Sequence, residues 1–300
     1  MTRTLRLIAP AKINWSLEVL HARPDGYHEI RSVLQTIDLC DVITLTEAPG
    51  ITLELAGEPD MLAGNPVEQN LAHRAAVALR DRAGVRKGAH IVLEKHIPVA
   101  AGLGGGSSDA AAVLRGLDQL WDTGETEMNL VEIAGEIGSD PPFFVLGGTA
   151  TVSGRGDDVM ALPDAVAPSI MLAIPPPGER GEKTAQMFGA LTPDDYADGD
   201  VTIGVRETVE AGRMIHDELL NNVFEHVTPR LQRDAERAMN ALRSDGYTPH
   251  LCGAGPSFFL LYGGGADLAD TLARRIRDTG FDPRSAYALR RAQALRIERL

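Results

Sequence analysis

The run Gly102-Leu103-Gly104-Gly105-Gly106-Ser107-Ser108 places four glycines within five residues, after a strand-like segment (His90 to Ile97) and before strong helix formers (Ala110 to Trp121). Such a junction has the chemistry of an oxyanion site. Without side chains the main chain can approach a phosphate closely. The free N–H groups of a helix's first turn point at the anion, and the helix dipole favours negative charge there. Ser107 or Ser108 could cap the helix, and either hydroxyl could reach a phosphate oxygen or a magnesium ion. Asp109 suits the dipole but must face away from a bound phosphate. Two common motifs are excluded. A Walker A loop would need lysine where Ser107 stands, and a dinucleotide fingerprint would need its third glycine there. The plain alternative is a flexible loop with packing glycines.

Other candidates are weaker taken singly. Lys12 and Asn14 stand two residues apart on a strand, so their side chains leave one face about 7 Å apart; spacing alone favours a solvated strand face. His28, after the turn Asp25-Gly26-Tyr27, is by itself more simply structural. Asp140 lies in Gly138-Ser139-Asp140-Pro141-Pro142. Aspartate before proline is a good helix N-cap, and it is equally a carboxylate poised to take a hydroxyl proton beside an ammonium such as Lys12. Gly253-Ala254-Gly255-Pro256-Ser257 is either a second backbone surface near phosphates or a tight turn.

The elements that position these residues follow from periodicity. Leu5 to Leu20 alternates, with Ala11, Ile13, Trp15, Leu17 and Val19 on one face and Lys12, Asn14, Ser16 and Glu18 on the other. Further strands are expected at 30–38, 41–47 and 51–56, and a helix over 71–82 capped by Asn70. A helix over 130–137 ends at Gly138. The turn Gly154-Arg155-Gly156-Asp157 follows, then a strand over 170–174, the break Pro175-Pro176-Pro177 and a helix over 184–188. Residues 193–200 read as a mobile acidic loop. Helices are expected near 205–224, 229–244 and 267–278, and strands from 257 and over 285–297. The class is α+β, with a domain boundary near 162: one unit over 1–162, a second over 163–300.

Composition narrows the function. The chain has 300 residues and a net charge of −13, which disfavours nucleic acid and anionic membrane surfaces. No apolar run approaches the ~20 residues of a membrane span, and the first twenty residues do not read as a signal peptide. Two cysteines, Cys40 and Cys252, make neither a disulfide framework nor a metal set. Cytoplasm is the expected compartment. Only four lysines occur, and two of them, Lys12 and Lys95, lie in the segments above.

Taken together, Pro10-Ala11-Lys12-Ile13-Asn14 with Asp25-Gly26-Tyr27-His28, Pro98 to Asp109, and Gly253 to Ser257 resemble the GHMP kinases. That superfamily is named for galactokinase, homoserine kinase, mevalonate kinase and phosphomevalonate kinase. The pairing of Lys-Ile-Asn with Asp-Gly-Tyr-His is similar to the branch that phosphorylates a cytidyl-diphosphate alcohol in the non-mevalonate isoprenoid route. The resemblance implies a two-lobed architecture, the N-terminal ATP-binding lobe like ribosomal protein S5 domain 2 and the C-terminal substrate lobe ferredoxin-like. It implies ATP as co-substrate, magnesium with it, and a monomer or homodimer.

By position, the resemblance makes Asp140 the base and Lys12 its partner and charge stabiliser. ATP contacts fall on Lys95, Pro98, Gly102, Leu103, Gly104, Gly105, Gly106, Ser107 and Ser108, with Lys95 bordering the adenine together with Asn65 or Asn70. Substrate contacts fall on Asn14, Tyr27, His28, Phe188, Gly253 and Gly255, with His28 on the cytosine edge and Phe188 stacking opposite Tyr27. The chain departs from the pattern at Trp15, where leucine is usual, at Pro141, and at Asn221-Asn222-Val223-Phe224-Glu225, which replaces Asn-Asp-Leu-Glu. Alternatives are a homoserine- or mevalonate-type kinase, a related decarboxylase, and a nucleotide-binding regulator without chemistry.

Overall fold

Two long strands, β1 (Thr4–Ala22) and β2 (His28–Ala48), form the spine of the molecule. The computed structural model describes residues 3–56, 66–176 and 183–300. Between the strands the chain reverses through Pro24-Asp25-Gly26, where Asp25 Oδ1 accepts the Tyr27 amide at 3.1 Å. The segments expected over 30–38 and 41–47 are one strand, because bulges in the β1–β2 ladder bend it without ending it.

The remaining strands are β3 (Ile51–Ala56), β4 (Gly88–Glu94), β5 (Thr149–Ser153), β6 (Asp158–Ala161), β7 (Ser169–Ile174), β8 (Asn221–Asn222), β9 (His250–Leu251), β10 (Phe258–Tyr262), β11 (Asp282–Ala286) and β12 (Ile297–Arg299). A larger sheet runs β12-β1-β2-β4-β3, with β5 on β2, β6 on β5 and β8 on β1; a smaller antiparallel sheet runs β11-β7-β10-β9. The smaller sheet uses only residues beyond 168, whereas β8 and β12, also late in the chain, join the larger one.

Helices cover the larger sheet: α1 (Leu71–Ala83), α2 (Gly105–Trp121), α3 (Glu127–Ile137) and α4 (Pro141–Leu146). Asn70 caps α1, its Oδ1 accepting the Ala72 amide at 2.9 Å. Later come α5 (Lys183–Gly189), α6 (Asp200–Glu210), α7 (Thr228–Leu231), α8 (Arg233–Ser244) and α9 (Ala266–Asp278). Among the described residues no helix is long and apolar enough to cross a membrane.

Several expectations change. The helix expected to 224 stops at Glu210, and the chain then enters β8. Residues 193–200 are pinned: Asp195 bonds the Thr192 amide and hydroxyl, and the Ala197 amide reaches Val19 O at 2.9 Å. The last expected strand divides into β11 and β12 around a short helix at Arg291–Ala294. Pro177 and Asn65 lie outside the described residues.

The strand faces also change. Ladder shifts at Pro10/Ala11 and Asn14/Ser16 interrupt the simple alternation of β1. Ala11, Ile13 and Trp15 therefore pack in one core cluster with Leu172 and Phe259, while Leu17 and Val19 join another with Leu34. Trp15 meets Phe259 edge-on at 5.9 Å, joining the two sheets. The polar face is not solvated: Lys12, Asn14, Ser16 and Glu18 are all buried. Glu18 accepts the Thr202 amide of α6 at 2.7 Å, so α6 covers that end of the strand.

Candidate active site

Helix α2 begins five residues earlier than its propensity suggests, at Gly105, because Gly104 takes a left-handed conformation (φ +73°) and turns the chain into the helix. The amides of Gly105, Gly106 and Ser107 therefore occupy the first turn, where no intrahelical acceptor exists. The Ser108 amide closes the turn on Gly104 O at 3.0 Å, and no serine side chain caps the helix. The turn is fastened to β1 by the Lys12 amide, which donates to Leu103 O at 3.0 Å.

The Lys12 side chain passes between two glycines. A Cβ on Gly104 would stand 3.1 Å from Lys12 Cγ and 2.8 Å from the Phe144 ring, and one on Gly253 would stand 2.7 Å from Lys12 Nζ. Gly253 also has φ +52°, a region glycine tolerates best. The two glycine segments thus form a sleeve that delivers the ammonium to the cradle. Gly253→Ala should displace Nζ and lower kcat by about 10–100-fold, the order expected for a misplaced group. Steady-state kinetics on folded protein checks this, and an unchanged kcat would separate the sleeve from turnover.

Lys12 Nζ donates to Asn14 Oδ1 at 2.9 Å rather than to Asp140. Asn14 Nδ2 donates in turn to Ser32 Oγ at 2.9 Å, and Ser32 Oγ donates to Ser16 O at 2.5 Å. This relay fixes the amide orientation of Asn14 and the reach of Lys12. Asn222 secures the sleeve from behind, donating to Leu251 O at 2.9 Å and to Gly253 O at 2.8 Å. That gives the unusual Asn221-Asn222 segment a positioning task.

Asp140 precedes α4 with proline at its first position, yet its carboxylate makes no capping bond. It lines the same cleft as Lys12, of about 920 Å3. The six residues of α4 are all buried and hold it at the rim. Pro98, Gly102, Leu103, Gly104, Gly105, Gly106 and Ser107 line the cleft too, as do Asn14, Tyr27, His28, Phe188 and Gly253. Leu53, Leu55, Val67 and Val99 give it an apolar wall suited to a base, next to Asn70.

The His28 ring stacks on Phe188, centroids 5.2 Å apart and planes 21° apart, and Phe224 meets Phe188 edge-on at 4.8 Å. Burial lowers the His28 pKa, favouring a neutral ring that can both donate and accept. Phe188 is therefore beside His28, a contact that loose sequence matching had not suggested.

Two expected contacts, Ser108 and Gly255, lie outside the cleft lining, while Lys95 lines the cleft with its ammonium already paired. Ser108 is buried, and its hydroxyl has no hydrogen-bond partner within the protein and does not line the cleft, because it follows the first turn into the core. Gly255 backs onto Gln232, its amide bonded to Cys252 O at 2.8 Å. The Lys95 ammonium is occupied by two carboxylates, Asp41 and Asp109, rather than left free for a base. Conversely, Ser32 and Arg155 line the cleft unforeseen. Arg155 lies over the Tyr27 ring, 5.1 Å from its centroid. Ser32 carries no local signal, since its partner Asn14 is 18 residues away; Arg155 could have been noticed as a cation in a glycine-flanked turn.

Among the described residues no cluster of three or more histidine, cysteine, aspartate or glutamate side chains could hold a metal. Of the two carboxylates lining the cleft, Asp109 is paired with Lys95, which leaves Asp140, together with the hydroxyl of Ser107. That set fits magnesium carried on phosphates, which keeps one or two protein ligands, and not an ion caged by protein alone.

The model of the GHMP kinases N terminal domain matches residues 70–148. The 4-diphosphocytidyl-2-C-methyl-D-erythritol kinase of Dehalococcoides mccartyi is 38% identical over 259 residues, covering 86% of this chain and 89% of that one. A crystal structure of 4-(cytidine 5'-diphospho)-2C-methyl-D-erythritol kinase superposes with a TM-score of 0.72 at 30% identity, over 94% of this chain and 98% of that one. A homoserine kinase from Cytophaga hutchinsonii reaches the same TM-score at 15% identity, over 99% and 97% of the two chains, a likeness of fold alone.

Proposed function

The chain belongs to the 4-diphosphocytidyl-2-C-methyl-D-erythritol kinase family of the GHMP kinases, and on that premise we propose that its cleft moves the γ-phosphoryl group of ATP to the 2-hydroxyl of 4-diphosphocytidyl-2-C-methyl-D-erythritol. One observation carries the reading at the level of residues: Lys12, Asp140 and the open amides at the start of α2 face a single cleft. In this reading the Asp140 carboxylate takes the hydroxyl proton as the alcohol oxygen bonds the γ-phosphorus. The bond from that phosphorus to the β,γ-bridging oxygen breaks, and ADP leaves with the electron pair. The amides of Gly105, Gly106 and Ser107 and the Lys12 ammonium meet charge on the phosphate oxygens. Magnesium, when bound with ATP, would neutralise part of the phosphate charge, with the Ser107 hydroxyl as the cradle group that could reach it.

Tyr27, His28 and Phe188 are suited to the cytosine: two rings for stacking, and an imidazole whose nitrogens can meet the amino and carbonyl edge. Asn14, held by Ser32, would bond the diphosphate or the sugar alcohol. We take residues 1–162 as the ATP-binding unit and 163–300 as the substrate unit, with β8 and β12 crossing back. The reading places the enzyme in the cytoplasm, where ATP is at hand.

The decisive assay combines purified protein, ATP, magnesium and 4-diphosphocytidyl-2-C-methyl-D-erythritol. ADP and a new phosphomonoester should appear in equal amounts. Turnover of homoserine or mevalonate in place of the cytidyl alcohol would move the chain to another branch. ATP binding without turnover of any of these would make it a silent binder.

A further inference from the structure

Beneath the phosphate cradle lies a buried group of three charges. Lys95 Nζ donates to Asp109 Oδ2 at 2.7 Å and to Asp41 Oδ2 closer still, and the three side chains are 5%, 3% and 0% exposed in that order. Asp41 Oδ1 accepts the His96 and Ile97 amides at 2.5 and 2.8 Å. Asp41 belongs to β2, Lys95 follows β4 and Asp109 belongs to α2, so the group ties together the three elements around the glycine turn. A Cβ on Gly105 would stand 3.2 Å from Lys95 Nζ, which puts the ammonium directly against the first residue of α2.

Stability alone does not account for this arrangement. Desolvation cancels much of the attraction within a buried ion pair, and a cation sits poorly at a helix N-terminus. A polyanion bound above the first turn changes that balance. It would feel the carboxylate of Asp41 from below, joined by Asp109 whenever that group is ionised, unless a cation stood between. Burial works against the charge on Lys95, but Asp109 and Asp41 outweigh it and keep the ammonium charged. Burial raises the Asp109 pKa, with Asp41 adding to the rise and Lys95 opposing it.

We propose that Lys95 is a positioning residue for the nucleotide's phosphate chain: it offsets the carboxylate charge beneath the amides of Gly105, Gly106 and Ser107, and fixes the first turn of α2, without reading the adenine. This rests on the cleft being the ATP site. Lys95→Met alone leaves two buried carboxylates without a counter-ion, which threatens folding. The comparison is therefore among wild type, Asp109→Asn and the double variant Lys95→Met with Asp109→Asn. Calorimetric titration with ATP, with inorganic tripolyphosphate and with adenosine reads each in turn, with melting curves recorded alongside.

Asp109→Asn should bind ATP and tripolyphosphate at least as tightly as wild type, since the change can only remove a repelling charge. The double variant should bind both about tenfold more weakly than Asp109→Asn, the order of one unit charge a few ångströms away, with adenosine changed less than about twofold. Equal losses for adenosine would put Lys95 on the base and overturn the assignment. So would a tenfold weakening of ATP in Asp109→Asn alone, or unchanged ATP affinity in a folded double variant. Wild-type protein that binds none of the three probes would overturn the ATP reading itself, and this assignment with it.

Discussion

Asp140→Asn should lower kcat by about 10^2–10^4-fold, the range that a positioned general base contributes. ATP binding should stay within about twofold, because the change removes a proton acceptor and not a phosphate contact. Asparagine keeps the volume and the planar head of aspartate, so the rim of the cleft retains its shape. Folding should be spared for a specific reason: the carboxylate makes no capping bond to α4, whose proline start and fully buried residues hold the helix without it. Loss of activity would then report chemistry and not a melted helix. Single-turnover kinetics with saturating ATP measures the chemical step, and titration with ATP measures binding. Turnover close to wild type would remove Asp140 from proton transfer and leave the alcohol to be activated by phosphate oxygen or water.

What could be read from the residues, and what could not, divides along the range of the interaction. The glycine turn was legible because its chemistry is local: a left-handed residue at Gly104 followed by free amides requires no knowledge of distant chain. Lys12, Asn14, Tyr27 and His28 were legible as a pattern only once a family resemblance joined them. Spacing alone made Lys12 and Asn14 a solvated face, because nothing local shows that α6 and the Gly253 turn cover it.

The same limit explains Lys95. Its two partners lie 54 and 14 residues away, and only the fold brings them within reach of one ammonium. Strand faces failed for a subtler reason. A bulge adds one residue to one strand, and every side chain beyond it changes sides; the shift at Asn14/Ser16 leaves Trp15 packed with one cluster and Leu17 with another. Asp140 was ambiguous in the sequence because a cap and a base ask for the same residue before proline. The unbonded carboxylate in the cleft favours the base.

Lys12→Ala should lower kcat by about 10^2–10^3-fold, the loss typical of one donor aimed at developing oxygen charge, and should raise KM for the cytidyl alcohol by less than about fivefold. The asymmetry follows from where the positive charge stands. Lys95 is taken up by two carboxylates, whereas Lys12 donates to a neutral amide, Asn14, at the cleft. Lys12→Met separates charge from packing, since the methionine stem can still fill the sleeve against Gly104 and Phe144. If charge is what matters, Met should be nearly as inactive as Ala while melting closer to wild type. Arginine should not rescue it, because Nζ lies so close to Gly253 that a Cβ there would stand 2.7 Å away, and a broad planar guanidinium needs more room at that point than an ammonium. An effect confined to KM, with kcat intact, would reduce Lys12 to a binding group and shift the burden of charge stabilisation onto the amides at the head of α2.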